Sequence, residues 1–362
     1  MDIQLFLDML EIDSTTGKEG EFAQWIATRF SAPGRHVETF KVDSDGALNV
    51  LVTWGNDPKV ILCTHLDTVP PYISPQLTED GVVKGRGSCD AKGQIFSMYE
   101  ACKVLESKGY NDFGLLLLSG EETGSYGAKA FNTMTSHDAG KTVIVGEPTD
   151  NMMVVAAKGT KSFEIIFEGK AFHSGYPEYG RSAVLMFNDF LNALRSIVFP
   201  YDGLLGETTW NIGQLVSDNP QNILSDRLSC RLYFRTTFES DEMVCNIMKN
   251  IAGPDARLRF GKPAVQDGSD LVSKEVALWQ KHMSVRPFGG DSPTRFETLE
   301  GFPTKAVSFG SDAPQLNCFG ERFLCGPGSI LVAHRDDEYI CLDDIATAVD
   351  NYVKIYETIR KK

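Results

Sequence analysis

Four segments of this chain end apolar runs in residues that bind metal ions or move protons. Lys59–Asp67 (KVILCTHLD) closes the run Val60–Cys63 with His65 and, two residues on, Asp67. Gly114–Gly120 (GLLLLSG) leads into the adjacent pair Glu121 and Glu122, and Thr142–Gly146 (TVIVG) leads into Glu147. Asp90 sits in the glycine-rich stretch Gly85–Gly93 (GRGSCDAKG). The apolar runs read as buried strands, and open α/β sheets collect ligands at the carboxyl ends of their strands. An imidazole and several carboxylates gathered there predict a metal site.

Zinc takes imidazole nitrogen and carboxylate oxygen. Two zinc ions about 3.5–4 Å apart can hold a water between them and bring its pKa toward neutrality. Such a centre needs a bridging carboxylate, terminal ligands for each ion, and a base. Asp90 can bridge. Of Glu121 and Glu122, one can bind metal while the other faces the water. Asp67 is placed to accept the second ring N–H of His65. Each residue taken alone has a plainer reading, since a lone His after a strand is commonly a satisfied polar group and Glu pairs commonly lie on solvated faces. Their joint placement is what argues for metal. Other chemistries lack their marks: there is no Asp/Asn-rich calcium loop, no Walker A motif, no third glycine at the dinucleotide-fingerprint spacing after Gly85 and Gly87, and no G-x-S-x-G elbow.

The elements that must position these residues follow from pattern and length. At 362 residues the chain exceeds one ordinary core, so two domains are expected. A hydrophobic content of 42% is ordinary for a globular protein, while 49 acidic against 35 basic residues (net −14) argue against nucleic-acid binding. No apolar run reaches the length of a membrane span, and Met1–Asp13 reads as an amphipathic helix rather than a signal peptide. The eight scattered cysteines, with no C-x-x-C, predict reduced thiols and a cytoplasmic location. Cys63 and Cys89 read as small buried groups rather than ligands. Strands and helices alternate up to about residue 155, with helices over Gly20–Phe30 and Ala91–Lys108, the latter ending at Gly109. Ser162–Glu168, Glu207–Val216 and Arg227–Phe238 then alternate apolar and polar residues, as strands with one wet face do. Helices over Ser182–Val198 and Asp241–Ala252 and a last strand at Arg257–Phe260 complete a β-α-β-β-α-β ferredoxin-like unit. Beyond it, Leu271–Met283 reads as a helix, Thr304–Phe309 as a buried strand, and Asp344–Arg360 as a helix capped by Asp343 or Asp344. The fold class is α/β: a mostly parallel sheet flanked by helices over 1–157 and 263–362, with an α+β domain inserted over 158–262. Hinges fall near Lys158–Thr160 and Gly261–Pro263.

With these segments in view, the chain resembles the M20 family of di-zinc aminoacylases and peptidases. The matching stretches are Thr64–Pro70 (THLDTVP), Gly85–Gly93, Ser119–Gly124 (SGEETG), Gly146–Thr149 (GEPT), Lys170–Pro177 (KAFHSGYP) and Gly326–Tyr339 (GPGSILVAHRDDEY). The resemblance implies two zinc ions per subunit, with cobalt or manganese as substitutes. It gives His65 and Glu147 to one ion and Glu122 and His334 to the other. Asp90 would bridge them across a cis Asp90–Ala91 peptide, Glu121 would be the general base, and Asp67 would support His65. It also implies a homodimer formed through the inserted lid, with His173 reaching the neighbour's site as an oxyanion donor. Asn211, Asn222, Arg235 and Ser311 would contact substrate. Spacing alone does not reach His334, which has no better claim by itself than His36, His137 or His282.

The closing GPGS…HRDDEY stretch looks most like the N-acetylornithine deacetylase branch. The implied substrate is thus a small N-acyl amino acid, with N-acetylornithine giving ornithine and acetate in arginine biosynthesis. N-succinylornithine and N-succinyl-diaminopimelate are alternatives, for which Arg235, Arg286, Arg295 or Lys161 could hold the extra carboxylate. Dipeptidases and carboxypeptidases share the fold and form a further alternative. A non-catalytic binding relative is the alternative from another class.

Overall fold

A computed structural model of the chain describes residues 1–42, 46–134, 138–260 and 275–361. The backbone divides into two compact units: Met1–Ala156 with Arg295–Val307 and Ser311–Lys362, and Ala157–Thr294 with Ser308–Gly310.

The main sheet of the first unit has six strands in the order Arg35–Lys41, Leu48–Trp54, Phe113–Leu118, Val60–His65, Asp138–Val145 and Phe319–Leu324. The last four run parallel, and the first two join through antiparallel ladders. Val60–His65 and Phe113–Leu118 are buried along their whole length, which is why each reads as an unbroken apolar run. The helix Lys92–Ser107 is mostly buried and packs on the last helix, Leu342–Ile359. Gly109, at φ 81°, follows its C-terminus and donates its amide to the Glu106 carbonyl, a conformation that a Cβ would penalise. The last helix starts earlier than expected. Cys341 occupies the cap position, and Asp343 and Asp344 lie in the first turn, where they favour the positive end of the helix dipole.

Strand register decides where the chemistry goes. His65 lies beside Leu118, and Cys63 beside Val145. The Gly146 amide reaches the Cys63 carbonyl at 2.8 Å, and the Leu66 amide reaches the Leu118 carbonyl at 2.7 Å. Three neighbouring parallel strands therefore release His65–Asp67, Ser119–Glu122 and Gly146–Glu147 at the same edge of the sheet.

The second unit is a four-stranded antiparallel sheet in the order Thr209–Val216, Arg227–Thr236, Gly159–Glu168 and Met283–Gly289. Phe163, Ile165, Phe167, Leu228, Leu232 and Phe234 bury one face under the helices Ala183–Arg195 and Asp241–Asn250. The chain order is β-α-β-β-α-β. Its last strand differs from the expectation. The amides of Arg257 and Leu258 bond the Asn250 carbonyl, so that segment closes the end of a helix rather than joining the sheet. Met283–Gly289 takes the edge instead, although it carries Pro287. A proline is tolerated at an edge strand, but it hides the strand in the sequence. The second unit consequently runs on to Thr294 and does not stop at 262. Of the expected helix Leu271–Met283, the described part holds only the short turn Leu278–Lys281. The expected hinge at Gly261–Pro263 lies outside the described residues.

Candidate metal centre

Asp90 stands between two histidines. Its Oδ1 is 3.0 Å from His65 Nε2, and its Oδ2 is 3.2 Å from His334 Nε2. The same His334 nitrogen is 3.0 Å from Glu122 Oε1. Ligating atoms of His65, Asp90 and Glu147 lie within 4.8 Å of one another, as do those of Asp90, Glu122 and His334. His65, Glu121 and Glu122 form a third such group. Asp90–Ala91 is cis, and His334 has φ 65°, a region where non-glycine residues are uncommon and concentrate at functional sites.

The electrostatics call for cations. Burial pushes Glu121 and Glu147 well above the usual carboxyl range, and the neighbouring acids add to this. Burial would also raise Asp90, but hydrogen bonds from His334 and His65 outweigh it and hold its carboxyl low. Hydrogen bonds to Asp90 and Glu122 push His334 up to about 10. Burial opposes protonation of His65, yet its bonds to Asp67 and Asp90 carry it well above the ordinary imidazole value. The two imidazoles thus face several crowded carboxylates, an arrangement that favours positive charge between them. Divalent ions supply such charge, and a mixed imidazole–carboxylate set suits zinc, cobalt or manganese.

Asp67 does more than the sequence implied, and does it differently. His65 Nδ1–H donates to the Asp67 backbone carbonyl at 2.9 Å, while the Asp67 carboxylate is farther away at 3.5 Å. That carboxylate accepts instead from the amides of Glu121 (3.0 Å) and Glu122 (3.2 Å). One buried residue therefore orients the His65 ring through its backbone and the Glu121–Glu122 turn through its side chain.

The remaining candidates are placed as follows. Ser311 is buried in the first unit, where its hydroxyl accepts from the Ala313 amide. In the second unit, Asn211 pairs with Tyr233 and Arg235 with Thr209, so both project from the face opposite the helices. Arg235 also lies 5.0 Å from the Tyr233 ring centre. His173 and Asn222 come together, since His173 bridges to Ile223 and the Ser174 amide reaches the Asn222 carbonyl at 2.9 Å. His173 is exposed, and its Nδ1 accepts from the Gly175 amide at 3.1 Å, which leaves Nε2 as the donor of the neutral ring. His36 pairs with Glu38 at the surface. His137 lies outside the described residues. Cys63 and Cys89 are buried free thiols whose pKa burial pushes up.

The sequence profile of Peptidase family M20/M25/M40 matches residues 61–358. The chain belongs to the M20 peptidase family. It is 31% identical to a probable carboxypeptidase of Aspergillus clavatus over 97% of this chain and 86% of the relative, and 32% identical to one of Aspergillus oryzae over 97% and 85%. The fold is shared with a tripeptidase of Staphylococcus aureus (TM-score 0.77, 20% identity, 99% and 98% of the two chains). It is shared also with an M20 family metallo-carboxypeptidase of Sulfolobus solfataricus (TM-score 0.71, 16% identity, 98% of each). This M20 chain is therefore a hydrolase of metallopeptidase type. Among the described residues, no helix is long and apolar enough to cross a membrane.

Three residues of this M20 centre were not visible in the sequence. Glu338 is buried and accepts from the Cys89 and Asp90 amides, each at 3.0 Å, and from Arg86 Nη1 at 2.6 Å. Arg86 also donates to the carbonyls of Pro71 and Arg335. This buried pair joins the Asp90 loop to the His334 loop, but nothing in the stretch HRDDEY separates Glu338 from the two aspartates before it. Asp312, next to Ser311, is the third. It is buried, and burial pushes its carboxyl up to about 7. Removing one partner of a buried pair leaves the other charge uncompensated. Glu338→Ala is thus expected to lower unfolding stability by about 3–5 kcal/mol. The double variant Glu338→Leu/Arg86→Met should lose less than Glu338→Ala alone. Urea unfolding checks both, and a Glu338→Ala midpoint equal to wild type would contradict the role given to the pair.

Proposed function

We propose that the chain is a di-metal carboxypeptidase that removes the C-terminal residue of a short, N-blocked peptide. The observation that carries this reading is the placement of Asp90, with one carboxylate oxygen toward His65 and the other toward His334. A bridging carboxylate requires that geometry, with Glu147 on one side and Glu122 on the other. The names of the relatives at 31–32% identity favour a peptide over a simple acyl amino acid.

In this reading His65 and Glu147 would hold one zinc, and Glu122 and His334 the other, with Asp90 available to both. When bound, the ions supply Lewis acidity that polarises the scissile carbonyl and acidifies the attacking water. Glu121, whose pKa burial raises, takes the proton from the water and delivers it to the leaving nitrogen. Bond cleavage then yields a carboxylate and an amine. His173 offers its Nε2–H to the oxyanion, and by family resemblance it serves the centre of a second subunit in a lid-mediated homodimer. By family resemblance Arg235 would offer its planar fork to the C-terminal carboxylate, and Asn211, Asn222 and Ser311 are further candidates for substrate contact. All five ligands and the base are present, which disfavours a non-catalytic relative.

A second reading is hydrolysis of N-acetylornithine, favoured by GPGS followed by HRDDEY. The succinyl variants are less well provided for, because Lys161 pairs with Asp241 at 3.0 Å and Arg286 with Glu164 at 2.6 Å. The deciding experiment compares kcat/KM on zinc-loaded protein for an N-acetylated dipeptide, N-acetylornithine, N-succinylornithine and N-succinyl-diaminopimelate. The peptide is expected to lead by at least about tenfold, or about 1.4 kcal/mol of transition-state discrimination. A lead for N-acetylornithine would return the enzyme to the deacetylase reading.

A further inference from the structure

A short stretch near the N-terminus, Ser14–Glu19, grips the turn that carries Glu121 and Glu122, although it precedes the residues matched by the family profile. It runs alongside Leu66–Thr68 as a parallel bridge. Ser14 Oγ donates to the Leu66 carbonyl at 2.9 Å, and backbone bonds of 3.0 Å link Thr16 and Ser14 to Thr68. These bonds anchor the stretch. Two further contacts go beyond anchoring. Thr16 Oγ1 donates to Asp67 Oδ2 at 3.0 Å, the oxygen that also accepts from the Glu122 amide. The buried Glu19 accepts from the Gly17 amide at 2.6 Å and from the Tyr126 hydroxyl at 2.9 Å. The Tyr126 ring fills the space against Gly120, leaving no room there for a Cβ, and Gly120 takes φ 71°.

The turn is thus held from both sides. Asp67 receives the amides of Glu121 and Glu122, and Thr16 supplies its third donor. Tyr126, fixed by Glu19, closes over the residue just before Glu121. We propose that Thr16, Glu19 and Tyr126 are positioning residues for the Glu121–Glu122 turn, acting through Asp67 on one side and Gly120 on the other. This rests on the reading of Glu121 as base and Glu122 as ligand. A buried carboxylate with every donor in place has one orientation. Losing a donor lets it rotate, and the turn loses its fixed point.

Thr16→Val keeps the volume and the backbone bonds of the anchor and deletes only the hydroxyl, while Thr16→Ser restores it. Tyr126→Phe deletes the bond to Glu19 at the other side. Zinc affinity by chelator competition, and kcat and KM on the N-acetylated dipeptide, are measured for these three and for Glu121→Ala. Thr16→Val is expected to lose about 10–100-fold in zinc affinity or kcat. KM should move less than kcat, Tyr126→Phe should shift in the same direction, and Thr16→Ser should approach wild type. If Thr16→Val does not fold, Tyr126→Phe decides by the same measurements. Variants that melt lower yet bind zinc and turn over as wild type would reduce the stretch to an anchor and overturn the proposal. An inactive Glu121→Ala beside an unaltered Thr16→Val rejects the positioning role alone. An active Glu121→Ala rejects the reading of the site together with it.

Discussion

Replacing Glu121 with alanine is expected to leave the metal content of the chain unchanged and to lower kcat by about 10²–10⁴-fold, the range of a lost general base. Glu121 is the acid of the cluster best suited to carry a proton rather than an ion. Glu122 and Glu147 each join a group that includes Asp90 and a histidine, and Glu121 joins neither of those two groups. Burial raises its pKa, and its backbone amide is fixed by Asp67. A carboxyl so placed can take a proton from water and give it up again. Metal analysis and steady-state kinetics on the same preparation check this. Turnover within tenfold of wild type would remove Glu121 from the mechanism, and loss of metal would make it a ligand.

Replacing Asp90 with alanine should abolish tight binding at both positions and reduce activity to the level of the apoprotein. Asp90 reaches His65 and His334 through different oxygens, so no single terminal ligand can stand in for it. Its removal also leaves Glu122 and Glu147 crowded without the shared group that a pair of ions needs. Metal analysis after dialysis against a weak chelator separates the outcomes. Retention of two tightly held ions would exclude the bridging role, and retention of one would mean that Asp90 serves a single position.

Much of this centre was legible in the sequence because parallel strands are buried on both faces and end abruptly in polar residues. The runs before His65, Glu121 and Glu147 mark three adjacent strands, and strand register then brings their ends together. His334 carries no such mark: it follows no strand, and it reaches the site through a loop held by the Arg86–Glu338 pair. Asp67 was recognised as a supporting residue, but its bonds to the turn amides depend on where the chain bends after His65. In the second unit, alternation revealed three strands and both helices. The fourth strand escaped because Pro287 and the glycines after it resemble a loop, and because edge strands need little apolar patterning.

The most direct test of the central claim is a zinc titration of metal-free chain, followed by calorimetry and by hydrolysis of the N-acetylated dipeptide in the same samples. Two equivalents per chain are predicted, with activity requiring bound metal. Full activity in metal-free protein, or saturation at a single equivalent of zinc, would contradict a di-metal centre built on Asp90.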